Sequence, residues 1–342
     1  MPIATTPATA ATCDASWSRA KNRSDAMPDD SQLHPLPVMH HPLAFDMIDA
    51  VLHAPQMNPG AYNHFALAPM SGALGAEITG IDLGDLSDAA MAEIERALTN
   101  HLVLAFRGQD LAPADQIAFA RRLGPVEPWP YAKPMDGFPE LTELISGPVD
   151  INNFGGSWHT DSSTFDQPPA YTTLYCVSCP PVGGDTSWAN QYLAWETLSP
   201  EMREALRGMR LLHSVARSFG DHSRSKGSAD VTTTPVSVPP EHEDLENLHP
   251  VARTHPVTGR TALYVNAGFS SNFEGRSETE SRPLMAALMA HGATPEFTCR
   301  LRWQPGTLVV WDNRCTVHYA HNDYRGQPRV MRRAVVTGER PF

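Results

Sequence analysis

Near its carboxyl end the chain reads Trp311-Asp-Asn-Arg-Cys-Thr-Val-His318, and it later continues Arg329-Val-Met-Arg-Arg333-Ala-Val-Val-Thr337. Short apolar runs broken by polar turns are typical of β-strands. The stretch therefore predicts one strand that runs into a turn before His318 and another that begins near Arg329. Residues four apart on a strand share a face, so Arg329 and Arg333 should point the same way. Arg332 should point to the other face and be solvated.

The remainder of the chain also favours a mainly β fold. The 31 prolines among 342 residues disfavour an all-helical protein. Helical spacing of apolar residues, or a serine or proline at the start, predicts only four helices, at Ser87–Thr99, Pro113–Leu123, Ser199–Gly208 and Ser281–His291. Strand candidates are His101–Phe106, Thr172–Val177, Leu211–Ala216, Ala262–Val265, Phe297–Trp303, Thr307–Trp311 and Arg333–Thr337. We predict a β-sandwich or jelly roll with helices packed outside.

The amino-terminal segment differs in composition from the rest. Met1–Thr12 is rich in alanine, threonine and proline, and Pro35–Pro42 contains three prolines. Such sequences bury too little apolar surface to fold by themselves. We predict a poorly ordered extension over residues 1–60 and one folded domain over residues 61–342.

Charge and cysteine content exclude several classes of protein. The formal net charge of −12 disfavours a nucleic-acid surface, and no apolar run of about 18 residues predicts a membrane span. Cys176 and Cys179 form a single C-x-x-C pair without the second pair of a zinc knuckle, so we expect them to pack within a strand. An odd count of five cysteines and no visible secretory signal predict a cytoplasmic protein. The sequence leaves open whether it forms a homo-oligomer.

Three histidines precede an aspartate by two residues, a spacing that can supply two ligands to one metal ion. His242 lies in an acidic loop and His321 in a polar turn, which favours solvent exposure for both. His159 instead follows Gly155-Gly-Ser-Trp158, where glycines permit close approach and an aromatic ring excludes water. On a strand His159 and Asp161 would share a face.

A third ligand is needed from elsewhere in the chain. His318 and His321 compete for this role, and the more apolar neighbours of His318 favour it. Two histidines and one carboxylate leave open positions on the metal, which is typical of non-haem Fe(II) oxygenases.

An iron site of this kind must also bind a co-substrate. 2-Oxoglutarate chelates iron through one end, and its far carboxylate needs a buried cation. Arginine meets a carboxylate with two parallel hydrogen bonds. One of Arg329 and Arg333 would hold the far carboxylate, while the other would reach the chelated end or an anionic substrate. Thr186, in Gly183-Gly-Asp-Thr186, can add a hydroxyl.

Together these motifs resemble those of the taurine dioxygenase and 2,4-dichlorophenoxyacetate dioxygenase family of Fe(II)/2-oxoglutarate enzymes. The resemblance covers about residues 72–342. It is carried by Gly75–Asp82, Trp158–Asp161, Gly183–Thr186, Thr254–Gly259, Leu263–Asn266 and Trp311–Arg333.

The resemblance implies a double-stranded β-helix, the jelly-roll form, and a reaction that consumes O2 and releases succinate and CO2. It also implies the roles of six residues. Fe(II) would be bound by His159, Asp161 and His318. The far carboxylate of 2-oxoglutarate would be held by Thr186 and Arg329, with Arg333 near the chelated end and the substrate anion.

The chain departs from taurine dioxygenases where the substrate binds. It has Trp129-Pro-Tyr131-Ala132 in place of a His-Pro-x-Tyr segment, and Gly155 in place of an asparagine. An indole suits a bulkier, partly apolar anion, so we expect a sulfonate other than taurine, a sulfate ester, or an aryloxy or alkyl carboxylate. Three alternatives remain: a biosynthetic oxygenase acting on an amino-acid-derived intermediate, a zinc hydrolase with the same ligands, and a non-catalytic jelly-roll binding protein.

Overall fold

The computed structural model describes residues 37, 62–148, 150, 155–219, 234 and 236–342. These residues all belong to one compact unit, Pro35–Phe342. The extension predicted over residues 1–60 lies outside the described residues, apart from residue 37, and stays a prediction.

Strands dominate the described part of the chain. They are β1 (Ala66–Pro69), β2 (Ala76–Thr79), β3 (Val103–Phe106), β4 (Val126–Glu127), β5 (Pro134–Met135), β6 (Phe138–Ser146), β7 (Tyr171–Ser178), β8 (Thr186–Asn190), β9 (Arg210–Ser214), β10 (Glu246–Pro250), β11 (Ala252–Thr254), β12 (Thr261–Leu263), β13 (Ser270–Phe273), β14 (Thr298–Leu301), β15 (Leu308–Asp312), β16 (Thr316–Ala320) and β17 (Arg329–Val336).

Helices connect and flank these strands. They are α1 (Asp88–His101), α2 (Pro113–Leu123), α3 (Gln191–Glu196), α4 (Pro200–Leu206), α5 (Val215–Phe219) and α6 (Glu278–Gly292), with 3₁₀ turns at Pro240–His242 and Pro295–Phe297. In the described part of the chain, no helix is long and apolar enough to cross a membrane.

The strands form one large sheet and three smaller ones. The nine-stranded sheet has the order β1-β2-β3-β15-β7-β17-β6-β5, with β4 also paired to β17. Its strands pair antiparallel except β2 with β3. The smaller sheets have the orders β14-β8-β16, β10-β9-β13 and β11-β12.

One apolar core joins the large sheet to the β14-β8-β16 sheet. A single buried cluster contains Leu174 of β7 and Met331 of β17 together with Leu301 of β14. The indoles of Trp188 on β8 and Trp311 on β15 approach to 5.8 Å between ring centroids. The mainly β class with flanking helices is confirmed.

Helix α2 determines the environment of one predicted surface residue. Its Gln116 Nε2 donates to the carbonyl of Arg332 at 2.9 Å, so this helix lies over strand β17. Arg332 is buried, and its guanidinium stacks on the ring of Tyr175 at 4.5 Å. The prediction that Arg332 is solvated was wrong, because a helix covers the outer face of its strand.

Candidate metal and carboxylate site

The two histidines of the candidate site are held together by their own backbones. His159 N donates to His318 O at 3.0 Å and His318 N donates to His159 O at 2.7 Å, which forms an isolated antiparallel bridge. Their imidazole centroids are 4.1 Å apart. Strand β16 carries His318, so this bridge attaches the His159 segment to the edge of the β14-β8-β16 sheet.

Asp161 reaches the same point from a turn and not from a strand. The residue after it, Ser162, has φ of 44°, in the left-handed region that costs a non-glycine residue energy. Its conformation is supported by Trp129 Nε1, which donates to Ser162 Oγ at 3.2 Å. The prediction that His159 and Asp161 lie on one face of a strand was wrong, because Asp161 lies in a turn. Their side chains nevertheless lie close together.

The three side chains form a compact donor set. One atom from each of His159, Asp161 and His318 lies within 4.8 Å of the others, and all three residues are buried. His159 Nδ1 lies 2.7 Å from the carbonyl of Ser157, an acceptor, so Nδ1 carries the hydrogen and Nε2 keeps its lone pair. Nε2 of His318 lies 3.9 Å from Asp161 Oδ1.

The charges of these side chains suit a divalent cation. Burial lowers the pKa of His159 and holds that of His318 well below its ordinary value, so both imidazoles are neutral at neutral pH. Burial opposes ionisation of Asp161, but the positive charge of Arg333, the two neighbouring histidines and the hydrogen bond from Thr172 together outweigh it and hold the pKa of this carboxyl well below its usual range. Two neutral imidazoles and one carboxylate are a donor set that fits Fe(II).

A second group of potential ligands has a structural explanation. His255, Asp312 and Cys315 also lie close together. Asp312, however, accepts from Arg314 Nε at 2.9 Å and from His255 Nε2 at 3.0 Å. Burial and the charge of Asp312 raise the pKa of Cys315 well above its ordinary value, so this thiol stays protonated. Because the donor atoms are already satisfied, this cluster fits an ion-pair network and not a metal.

The solvent exposure predicted for the histidines of the other two His-x-Asp pairs was wrong: both are only partly exposed, and the ring of His242 packs edge-on against Tyr131 at 5.6 Å between centroids. Neither His242 nor His321 belongs to a metal-compatible cluster among the described residues. His321 lies 2.9 Å from Ser187 Oγ and is part-exposed, and Asp323 is exposed. Of the two candidates for the third ligand, only His318 lies with His159 and Asp161.

Arg329 is a buried cation without an acidic partner. In the described part of the chain no carboxylate lies within ion-pair distance of it, and its Nε has no hydrogen-bond partner. Burial lowers its pKa. Its guanidinium lies 5.7 Å from the ring centroid of Trp303 and 5.9 Å from that of Tyr324. An unpaired buried charge is costly, so this position is suited to an incoming carboxylate.

Thr186 lies beside the same indole as Arg329. Trp303 Nε1 donates to Thr186 Oγ1 at 3.0 Å. The indole is a donor only, so the threonine keeps its own hydroxyl hydrogen for another acceptor. The preceding turn is fixed because Gly184 N donates to Asp323 Oδ1 at 2.7 Å, and a Cβ at Gly183 would lie 2.6 Å from Asp323 O. The two residues predicted to hold the far carboxylate thus both contact Trp303.

Arg333 contacts one of the candidate metal ligands, Asp161, directly. Its Nη2 lies 2.7 Å from Asp161 Oδ1, and its guanidinium stacks on Trp129 at 4.8 Å. Its Nη1 is buried without a hydrogen-bond partner among the described residues. Arg329 and Arg333 therefore occupy different environments on β17, one next to the candidate metal and one beside Trp303.

Two of the three residues predicted for the substrate pocket adjoin this centre, Trp129 through Arg333 and Gly155 through His159, whereas Tyr131 packs against Trp129. Trp129 and Tyr131 are buried with ring centroids 5.6 Å apart. They belong to an apolar cluster, called here the aromatic wall, that contains Trp129, Tyr131, Val215, Val238, Ala132, Phe165, Phe219, Val236 and Leu245. Gly155 has φ of 86°, and a Cβ there would lie 3.1 Å from His159 Cε1. Gly155 therefore borders the first imidazole.

Four residues that contact the site received no role from the sequence. They are Thr172, Gly268, Trp303 and Asn313. Thr172 Oγ1 donates to Asp161 Oδ2 at 2.6 Å, and Asn313 Oδ1 accepts from Asp161 N at 3.3 Å. Asn313 lies inside a motif that carries the family resemblance, which was the one available signal. Gly268 and Trp303 reach the site from distant parts of the chain, and Thr172 lies on the strand that follows the Asp161 turn.

The fold and donor set together are typical of non-haem Fe(II) oxygenases. A family model described as "Taurine catabolism dioxygenase TauD, TfdA family" matches residues 66–335. The chain belongs to this family, as its motifs predicted.

Curated relatives and a solved structure agree with this assignment. The chain is 36% identical over 281 residues to an alpha-ketoglutarate-dependent sulfate ester dioxygenase of Pseudomonas putida, covering 80% of this chain and 89% of the relative. It is 34% identical to the alpha-ketoglutarate-dependent 2,4-dichlorophenoxyacetate dioxygenase of Burkholderia sp. (strain RASC), covering 75% and 89%. A taurine dioxygenase structure from Burkholderia xenovorans superposes with a TM-score of 0.68 at 32% identity, covering 81% and 91%. The jelly-roll prediction is confirmed.

Proposed function

We propose that this protein is an Fe(II)- and 2-oxoglutarate-dependent dioxygenase that hydroxylates a C–H bond of a small anionic organic substrate. Succinate and CO2 would be the products from the co-substrate. The observation that carries the proposal is the pairing of a compact His159–Asp161–His318 donor set with Arg329, a buried guanidinium that lacks an acidic partner among the described residues.

The protein's own residues prepare the site for both ligands. The hydrogen bond from His159 Nδ1 to the Ser157 carbonyl directs Nε2 at the metal. Arg333 helps to keep Asp161 ionised, and Arg329 with the free hydroxyl hydrogen of Thr186 would bind the far carboxylate of 2-oxoglutarate. The iron, when bound, supplies the activation of oxygen.

The aromatic wall supports a substrate with an anionic head and an apolar body. The cation of Arg333 lies on one face of Trp129, and the remaining members of the wall are apolar or aromatic. A sulfate, sulfonate or carboxylate group near Arg333 would leave an alkyl or aryl body beside these rings. The relative from Pseudomonas putida is named for sulfate esters, which agrees with such a substrate.

Removal of Arg329 should weaken 2-oxoglutarate binding. Arg329→Ala deletes a buried charge partner, which typically costs about 2–5 kcal/mol, or roughly 30-fold or more in Kd. Anaerobic titration of the Fe(II)-loaded protein with 2-oxoglutarate should show a weak visible charge-transfer band in wild type. Saturation should require far more 2-oxoglutarate in the variant.

The matched control is Arg325→Ala, which removes an exposed arginine from the loop before β17 and should leave the titration unchanged. Equal Kd values for wild type and Arg329→Ala would contradict the assignment of the carboxylate site. No Fe(II) binding by wild type would contradict the proposed function itself.

Trp129 should determine substrate preference. Trp129→His replaces an apolar surface with a polar ring, and an apolar contact of this size is worth about tenfold or more in kcat/KM. We expect the ratio of kcat/KM for an alkyl sulfate ester or aryloxyacetate to that for taurine to fall in the variant. Succinate release measures each rate, and the KM for 2-oxoglutarate is the internal control. An unchanged ratio would remove Trp129 from the substrate site.

Two of the three alternatives fit the geometry less well. A zinc hydrolase needs no buried arginine beside its metal, and a non-catalytic jelly roll would hold Arg329 unpaired at an energetic cost without benefit. A biosynthetic oxygenase would share every feature of the site and differ only in substrate. The cytoplasmic location, the absence of nucleic-acid partners and the choice between monomer and homo-oligomer stay predictions.

A further inference from the structure

We propose that Thr172 and Asn313 are positioning residues that present one oxygen of Asp161, Oδ1, to the metal. This proposal rests on the metal centre proposed above. It concerns a chain of hydrogen bonds that ends on the other carboxylate oxygen, Oδ2. All three side chains are buried.

The direction of this chain is fixed at Asn313. Its Oδ1 accepts from Trp311 Nε1 at 2.9 Å and from the backbone N of Asp161 at 3.3 Å. An indole N–H and a backbone N–H can only donate, so the oxygen of the Asn313 amide must face them. The amide nitrogen, Nδ2, therefore faces Thr172, where it donates to Oγ1 at 2.9 Å.

The orientation of the Asn313 amide makes the hydroxyl of Thr172 a donor to the carboxylate. Because Oγ1 already accepts from Asn313, its own hydrogen is available for the atom on its other side. That atom is Asp161 Oδ2, at 2.6 Å, a short distance typical of a hydroxyl that donates to a charged carboxylate. Oδ2 is thereby held towards Thr172, and Oδ1 is turned to Arg333 at 2.7 Å and His318 Nε2 at 3.9 Å.

The framework behind this chain is rigid. Thr172 lies on β7, between β15 and β17, where it pairs with Trp311 on one side and Val335 on the other. Asn313 immediately follows β15, and its carbonyl accepts from Thr160 Oγ1 at 2.8 Å. The large sheet thus fixes the rotation of a carboxylate that belongs to a turn.

The orientation of the Asp161 carboxylate determines how many coordination positions would remain on the metal. A carboxylate that binds through both oxygens occupies one more position than a carboxylate that binds through one. Two imidazoles and one oxygen leave three positions of an octahedral ion, enough for a chelating keto acid and oxygen. Holding Oδ2 in a hydrogen bond preserves these three positions.

The test compares three buried hydroxyl changes on β7. Thr172→Val removes the donor to Asp161 with almost no change in shape, and Thr172→Ser keeps it. Thr173→Val removes the neighbouring hydroxyl, whose nearest partner is Gln116 Nε2 at 3.4 Å, on the other face of the strand. The Kd for Co(II) alone is measured by its visible absorption, and unfolding by urea is followed in the presence of a chelator.

We expect Thr172→Val to weaken Co(II) binding by about 10–100-fold, the usual effect of removing a partner of a metal ligand. Thr172→Ser should bind nearly as tightly as wild type, and Thr173→Val should bind as wild type does. Wild-type affinity in Thr172→Val would overturn the proposal, as would an equal loss in Thr173→Val. If wild type and His159→Ala bind Co(II) equally, it is the metal centre itself that fails.

A second variant decides the matter if Thr172→Val does not fold. Asn313→Asp keeps the acceptor oxygen for Trp311 and Asp161 but replaces the donor that faces Thr172 with a second acceptor. The threonine hydroxyl would then turn away from Asp161. An added negative charge by itself strengthens cation binding, so weaker Co(II) binding supports the positioning role, and equal or tighter binding overturns it.

Discussion

A glycine gives the first imidazole of the site its space. A Cβ at Gly268 would lie 2.8 Å from Cβ of His159, closer than two such atoms can pack. The Gly268 carbonyl also accepts from Ser218 Oγ, and Ala267 N donates to Trp158 O at 2.9 Å. Two parts of the chain a hundred residues apart are therefore in backbone contact behind the candidate metal ligand.

We expect Gly268→Ala to reduce metal affinity and turnover. The added methyl group must displace either the His159 backbone or its own segment, and a small shift of a ligand strongly affects a metal site. Titration with Co(II) measures the effect. Gly72→Ala is the control, because a Cβ there meets nothing within 4 Å, and it should change neither affinity nor stability. Unaltered Co(II) binding in Gly268→Ala would show that the contact is unimportant.

For single residues, the sequence predicted the candidate metal ligands better than it predicted the residues that contact them. The types and spacing of His159, Asp161 and His318 identified residues that the structure brings together. Thr172, Trp303 and Gly268 could not be found in this way, because their roles depend on which strands become neighbours. Arg332 was placed wrongly for the same reason, since only the packing of α2 shows that its face of β17 is covered.

Among the structural elements, the turn between β15 and β16 is held by a buried ion-pair network. Arg314 Nη2 lies 2.6 Å from Asp312 Oδ2, His255 Nε2 lies 3.0 Å from the same oxygen, and Arg314 Nη1 lies 3.7 Å from Glu339 Oε2. The network fixes the turn that contains Asn313 and leads into the strand of His318. Its role is therefore to support the site from behind.

Asp312→Asn should destabilise the fold by about 3 kcal/mol, because it removes the nearer of the two carboxylates of the buried Arg314 and leaves only Glu339 at 3.7 Å. Urea unfolding in the presence of a chelator measures this effect. Asp136→Asn is the control: it breaks an exposed pair with Lys133, at 2.9 Å with both side chains largely in solvent, which is worth at most about 1 kcal/mol. Equal stabilities for the two variants would contradict a structural role for the network.

The prediction of elements succeeded where the local pattern was strong. Helices α1, α2, α4 and α6 were predicted with small errors at their ends. His101 was assigned to a strand but lies in the last turn of α1, because Leu102, at φ of 64°, ends the helix only after it. Helix α3 was not predicted. Its side-chain cap comes from Asn190, and almost every residue in it is buried, so its sequence shows no amphipathic period.

For the whole molecule, buried histidines should make stability depend on pH. Burial lowers the pKa of His101 to about 4, and burial with the charge of Arg253 lowers that of His249 to about 4. The unfolded chain takes up these protons near pH 6.5, whereas the folded chain resists them. The free energy of unfolding that these neutral histidines contribute is therefore fully present above pH 6.5 and decreases as the pH falls from 6.5 towards 4.

Each such histidine should lower the free energy of unfolding by about 2 kcal/mol at pH 5 relative to pH 8. His101→Phe removes one of them while keeping a buried ring, so the decrease in the free energy of unfolding between pH 8 and pH 5 should be smaller by about this amount. Urea unfolding with chelator present at both pH values measures it. An identical pH dependence in wild type and variant would show that His101 is protonated in the folded state.

The reciprocal backbone bonds between His159 and His318 have a consequence for the order of assembly. Hydrogen bonds of the polypeptide itself close the loop of more than a hundred residues that separates them, and we expect this closure not to depend on an ion. Folding can then finish first and iron can enter afterwards, in contrast to small zinc domains, which remain unfolded without their metal. Apoprotein stripped by a chelator should regain turnover as soon as ferrous iron is returned, with no slow refolding phase.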